Sequence, residues 1–234
     1  MSEQAVSPRR AGIEVQASWL PMIIVAVAQI QMAFNVTGLP VSMGAIVHEF
    51  DTSPTSVGTA LVLYSLMVAG FVMLGGKVGK RVGSRRVFQV SVLGHGVAMA
   101  VVALSVNLAM LFVAQLAAGL AAAALVPALV VMIATQYRGK QQAQALGFLG
   151  AARAMASTLA FFVAGSLAAT VGWRFSFGLL LAVSVIVFML SWRLKSAPPQ
   201  PSVAIDWVGA ALAAAAITLI SLGFNFINSW GLLV

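Results

Sequence analysis

The chain has 234 residues, 61% hydrophobic and 8% charged, with a formal net charge of +8 and no cysteine. A soluble domain carries roughly 25% charged residues, so this composition excludes a water-soluble globule. The missing cysteine excludes disulfide frameworks, thiolate metal sites and cysteine nucleophiles.

A bilayer-crossing helix needs roughly 20 predominantly apolar residues. Runs that qualify lie at 19–47, 55–76, 87–104, 108–135, 142–170, 175–192 and 207–230, which predicts an all-α, polytopic membrane protein with seven crossings. Helices are the default because lipid offers no partner for backbone N–H and C=O groups. The alternating pattern of a membrane barrel is absent. Residues 1–18 form a polar tail, and the apolar run behind them is too long for a cleavable signal.

In the first span, Gln31, Asn35, Gly38 and Ser42 follow at steps of four, three and four, which sets them on one face. Such a stripe meets either a neighbouring helix or a water-filled cavity. Pro40 should kink this span. Residues 77–86, after the second span, are a basic loop. His95, nine residues into the third span, suits a satisfied structural histidine better than a proton relay. The fourth and fifth spans are rich in Ala and Gly, which permits close helix packing.

Arg153 is the most informative residue. It lies about 11 residues into the fifth span, roughly 15 Å from the membrane face by helix rise. A charge at that depth costs at least about 2.5–3.5 kcal/mol. Glu3, Glu14, Glu49, Asp51 and Asp206 all fall in loops or at helix ends, so no embedded carboxylate offsets it. The expected acceptors are Gln31 and Gln115, and the expected role is contact with an anion or substrate in a cavity. The segment 194–206, with three prolines, is a linker ahead of the seventh span.

Orientation follows from the basic residues. With the N-terminus in the cytoplasm, Arg9, Arg10, Lys77, Lys80, Arg81, Arg85, Arg86, Arg138, Lys140, Arg193 and Lys195 lie inside and only Arg174 lies outside. Topology and anionic headgroups thus account for the positive charge, and no nucleic-acid partner is implied. An internal repeat supports a transporter: Val82-Gly-Ser-Arg-Arg-Val-Phe88 and Val171-Gly-Trp-Arg-Phe-Ser-Phe177 share V-G-x-R-x-x-F. Pro40 and Pro127 are similarly spaced. Three crossings separate the copies, so the units are inverted, as in secondary transporters. Nothing resembles a catalytic site, a metal cluster or a cofactor-binding loop.

Gly76-Lys-Val-Gly-Lys-Arg-Val-Gly-Ser-Arg-Arg86 resembles the signature loop of the major facilitator superfamily, G-x-x-x-D-R-x-G-R-R, at Gly76, Arg81, Gly83, Arg85 and Arg86. Leu39-Pro40, Phe112-Val-Ala-Gln-Leu-Ala-Ala-Gly119 with Leu125-Val-Pro-Ala128, Trp173-Arg174 with Phe177, and Asp206-Trp-Val-Gly209 resemble motifs of its fourteen-helix drug:proton antiporter branch. Lys80 stands at the loop's acidic position and Ser84 at one of its arginines. Gln31 replaces a first-helix aspartate, Gln115 a fourth-helix arginine, and Ala160-Phe161 the fifth-helix Gly-Pro. Each position expected to handle protons is neutral or reversed in sign, and Arg153 is the residue that could replace the missing arginine.

The resemblance implies residues 19–193 as a six-helix transporter half, built from two inverted three-helix repeats, with residues 207–234 as a seventh helix. It implies efflux or antiport of small amphipathic molecules across the cell membrane by alternating access. Gln31, Asn35, Gln115 and Arg153 would bind substrate, and Gly76, Lys80, Arg81, Gly83, Arg85 and Arg86 would form a gating loop. Spans one, two, four and five would line the path. A second half, from the rest of a longer chain or a second copy, would complete the cavity. The rival expectation is a membrane scaffold that keeps the fold without transporting.

Overall fold

The computed structural model describes residues 17–226. The polar tail up to residue 16 and the end of the seventh span beyond Phe226 lie outside the described residues. Eight helices follow in order: α1 (Leu20–Val41), α2 (Met43–Phe50), α3 (Pro54–Val82), α4 (Ser84–Leu104), α5 (Leu108–Gln136), α6 (Gly139–Thr170), α7 (Trp173–Ser191) and α8 (Trp207–Phe226). Six of them, α1 and α3 to α7, are long and apolar enough to cross a bilayer. In α8 the apolar stretch over Trp207–Ile220 is shorter.

Local chemistry sets the helix starts. Pro54 opens α3, and the Ser53 hydroxyl accepts from the Ser56 N–H. Asn107 caps α5 by accepting from the Met110 N–H at 2.9 Å. The first span, expected as one kinked helix, is two. Regular helix ends at Val41, one residue past Pro40, and resumes at Met43 after Ser42. The proline has no N–H to extend the ladder, and Asp51 ends α2 in the left-handed region.

The basic loop at 77–86 is a correction. α3 runs six residues past the expected boundary, to Val82, and α4 starts at Ser84. Lys and Arg are good helix formers, so α3 projects its basic end beyond the apolar layer. The turn is Gly83 alone, at φ +107°, a region open to glycine but costly for other residues.

Gly172 sits at φ +93° before α7 as Gly83 does before α4, and Phe88 and Phe177, each five residues on, are fully buried. The sequence repeat is therefore a repeat of conformation. Packing follows the same symmetry: α3 lies along α5, α1 along α6, and α4 against α7. Close approach of α3 and α5 depends on Gly75 and Gly119. A Cβ on Gly75 would sit 2.5 Å from the Ala123 carbonyl oxygen, and one on Gly119 would sit 2.5 Å from that of Tyr64.

Candidate functional site

The polar stripe of α1 points into the bundle. Gln31, Asn35 and Ser42 are fully buried. Asn35 and Gln115 exchange two amide hydrogen bonds, each 3.0 Å. Gln31 donates to the Val92 carbonyl and lies 2.9 Å from His95 Nδ1. Between the two expectations for the stripe, the structure chooses neighbouring helices. His95 is satisfied at Nδ1, while its Nε2 has no partner among the described residues.

The expected contact of Arg153 with Gln31 or Gln115 is not made: the Gln115 amide is paired with Asn35, and Gln31 is fully buried, with its Oε1 unpartnered among the described residues. The exposed Arg153 side chain lines a separate cavity of about 330 Å³ between α1, α3 and α6, with Val126 of α5. The wall from α1 is Gln29, Met32, Ala33 and Val36. These occur at steps of three, one and three, so α1 carries a cavity-lining face beside its polar stripe. Gln29 was missed because its cavity neighbours are apolar; the i, i+3, i+4, i+7 spacing was the available signal. Tyr64 and Ser65 come from α3, and Ser157 from α6. The cavity is thus lined from the first, second, fourth and fifth spans.

The residues expected to form a gating loop occupy one end of the bundle. Gly76, Lys80 and Arg81 lie on α3, Gly83 forms the turn, and Arg85 and Arg86 fall in the first turn of α4. The segment after α7 is strapped across them. The Gln200 N–H donates to the Lys80 carbonyl at 2.9 Å, and the Ala197 N–H to the Ser84 hydroxyl at 3.0 Å. Arg85 donates to the Leu194 carbonyl at 3.3 Å and stands 5.8 Å from the Trp192 ring centre. Ser84, where the family pattern has arginine, is buried beneath this strap. Replacing Ser84 by Val should free the Ala197 N–H. A hydrogen bond of about 1 kcal/mol corresponds to roughly fivefold faster amide exchange there. Unchanged exchange at Ala197 would mean that the hydroxyl does not hold the strap.

The opposite end is closed by a charged clasp. Glu49, near the end of α2, accepts from Arg174 at 2.6 Å and from Trp173 Nε1 at 2.7 Å. Arg174 also donates to the Ala103 carbonyl at the end of α4 and lies over the Trp173 ring. The Arg174 hydrogen bonds hold the Glu49 carboxyl below its ordinary range, against a smaller upward push from burial. A lowered carboxyl pKa means that stability is present above the unfolded value and is lost as pH falls through the folded one. The wild type should therefore melt above Glu49→Gln at neutral pH, and the gap should close on acidification below the ordinary carboxylate range. A gap that persists in acid would contradict the clasp. Both groups are partly exposed, so the effect is modest.

These features define a polytopic helical bundle with an inverted repeat, a basic end and a cavity lined by both polar and apolar side chains. The Major Facilitator Superfamily model matches residues 25–234. The chain belongs to that superfamily, whose members are transporters rather than enzymes. It is 26% identical over 232 residues to the puromycin resistance protein pur8 of Streptomyces alboniger, covering 97% of this chain and 44% of that protein. With the cephamycin export protein CmcT of Amycolatopsis lactamdurans the identity is 24%, covering 90% of this chain and 44% of the relative. With the tetracenomycin C resistance and export protein of Streptomyces glaucescens it is 25%, covering 91% and 40%. The chain thus spans less than half the length of these relatives. A crystal structure of the peptide transporter POT with alafosfalin superposes with a TM-score of 0.68 over 93% of this chain and 47% of that one. At 14% identity this shows the fold alone.

Proposed function

We propose that the chain is the N-terminal half of an efflux transporter of the cell membrane, moving small amphipathic molecules outward by alternating access. Its relatives include proteins named for resistance to, or export of, puromycin, cephamycin and tetracenomycin C. The observation that carries the reading is the placement of Arg153. It sits in the middle of α6, the least buried of the six long helices, on a face that opens to a cavity. A guanidinium facing acyl chains at that depth would be costly, so this face is suited to water, substrate and a second half. The second half would come from a longer chain or another copy. The N-terminus would be cytoplasmic, which places the Lys80–Arg86 turn and its strap at the inner gate. Asn35, Gln31 and Gln115 hold α1 to α4 and α5 behind the cavity, so their part in binding is to fix its wall.

Arg153→Ala tests the reading in everted vesicles bearing the chain in its full-length context, with an imposed pH gradient. Efflux of an amphipathic dye should fall at least tenfold, since one lost charged contact is worth about 1.5–3 kcal/mol. Equal efflux by both would remove Arg153 from the path. No transport by the wild type would leave the scaffold reading in place.

A further inference from the structure

We propose that the Arg153 cavity selects amphiphiles carrying a negative charge, an inference that rests on the efflux reading above. Arg153 is the one charged residue among those lining the cavity. The sequence places no acidic residue within any membrane-spanning segment. The one ion pair among the described residues is Glu49–Arg174, at the far end of the bundle. The Arg153 guanidinium therefore faces the cavity with five N–H donors and no carboxylate.

Two of the other polar groups, Gln29 and Tyr64, can add donors. The Gln29 amide and the Tyr64 hydroxyl make no hydrogen bond among the described residues, and both line the cavity while nearly buried. The Ser65 and Ser157 hydroxyl protons are spent on the Leu61 and Arg153 carbonyls of their own helices. Beside these donors the rest of the wall is largely apolar, from Met32, Val36, Val68 and Val126. An anion beside an apolar body meets both halves of this surface. An organic cation meets a fixed like charge in a low-dielectric setting, where repulsion is strong. A lipid phosphate is a poor occupant, because Arg153 is at the middle of a 32-residue helix and headgroups lie at its ends. A free amphiphile fits.

Three naphthalene probes of similar size and different charge test this: naphthalene-2-carboxylate, its neutral carboxamide and naphthalen-2-ylmethylammonium. Binding to the 234-residue chain in phosphatidylcholine nanodiscs is measured at neutral pH by equilibrium dialysis, corrected for empty discs. The carboxylate should bind at least tenfold tighter than the ammonium ion. Arg153→Lys should keep that order, and Arg153→Gln, checked for an unchanged melting temperature, should abolish it. A preference that survives Arg153→Gln, or equal binding of anion and cation, overturns the proposal. Equal binding of all three probes leaves the cavity intact and removes only charge selection. Failure of all three to bind removes the cavity reading as well.

Discussion

Gly119→Ala and Gly75→Ala should each lower the melting temperature of the detergent-solubilised chain by several degrees, whereas Gly147→Ala should not. A Cβ at Gly119 would stand 2.5 Å from the Tyr64 carbonyl oxygen and 2.7 Å from Met67 Cβ. One at Gly75 would stand 2.5 Å from the Ala123 oxygen and 2.6 Å from Ala124 Cα. The obstacles are mostly backbone, which cannot swing aside as a side chain can. Overpacking typically costs about 1–3 kcal/mol, and the immovable backbone puts both sites at the upper end. Two helices would have to separate along their length, so the damage would spread from Tyr64 at the cavity wall to the turn at Gly83. Gly147 has nothing within 4 Å of its Cβ position, and alanine there gains about 1 kcal/mol of helix propensity. Equal melting of Gly119→Ala and Gly147→Ala would show that α3 and α5 do not pack this closely.

Sequence periodicity and physics carry most of the architecture but not its connections. Long apolar runs located the six helices able to cross a bilayer, because lipid leaves the backbone few alternatives. The pattern V-G-x-R-x-x-F marked Gly83 and Gly172, two of the three positive-φ glycines among the described residues, since the repeat preserves a turn that other residues resist. The basic segment misled because charge marks the edge of the apolar layer, whereas a helix ends only where its backbone does. α3 accordingly continues through Lys77 and Lys80 to Gly83. Arg153 was correctly set apart from the apolar core, yet its partners were wrong. Spacing shows which residues share a face of α1; it does not show which neighbouring helix that face meets. Gln31 and Asn35 turned to α4 and α5, while Gln29, two positions away, turned to the cavity. The strap over Ser84 had no sequence signal, because on its own side it is held largely through the backbone groups of Leu194, Ala197 and Gln200.

Asn35→Ala should destabilise the bundle more than the double change Asn35→Leu with Gln115→Leu. The two amides are fully buried and satisfy one another through a reciprocal pair of 3.0 Å hydrogen bonds. Truncating Asn35 strands the Gln115 amide in an apolar interior, at a cost of about 1–3 kcal/mol. Replacing both partners by leucine leaves no orphan, and the space is refilled by apolar atoms. Side-chain hydrogen bonds between membrane helices average only about 0.6 kcal/mol in double-mutant cycles, so the pair itself contributes little and the penalty lies in breaking it one-sidedly. Thermal melts of Asn35→Ala and of the double variant compare these quantities. A double variant that melts below Asn35→Ala would show that the pair stabilises the packing of α1 on α5 directly. The order also bears on the missing arginine. If one orphaned amide is this costly, a guanidinium at position 115 would need an acceptor stronger than Asn35. The neutral pair and the displaced charge at Arg153 are then two sides of one arrangement: α1 is bound to α5 by amides, which leaves the cation free to face the cavity from α6.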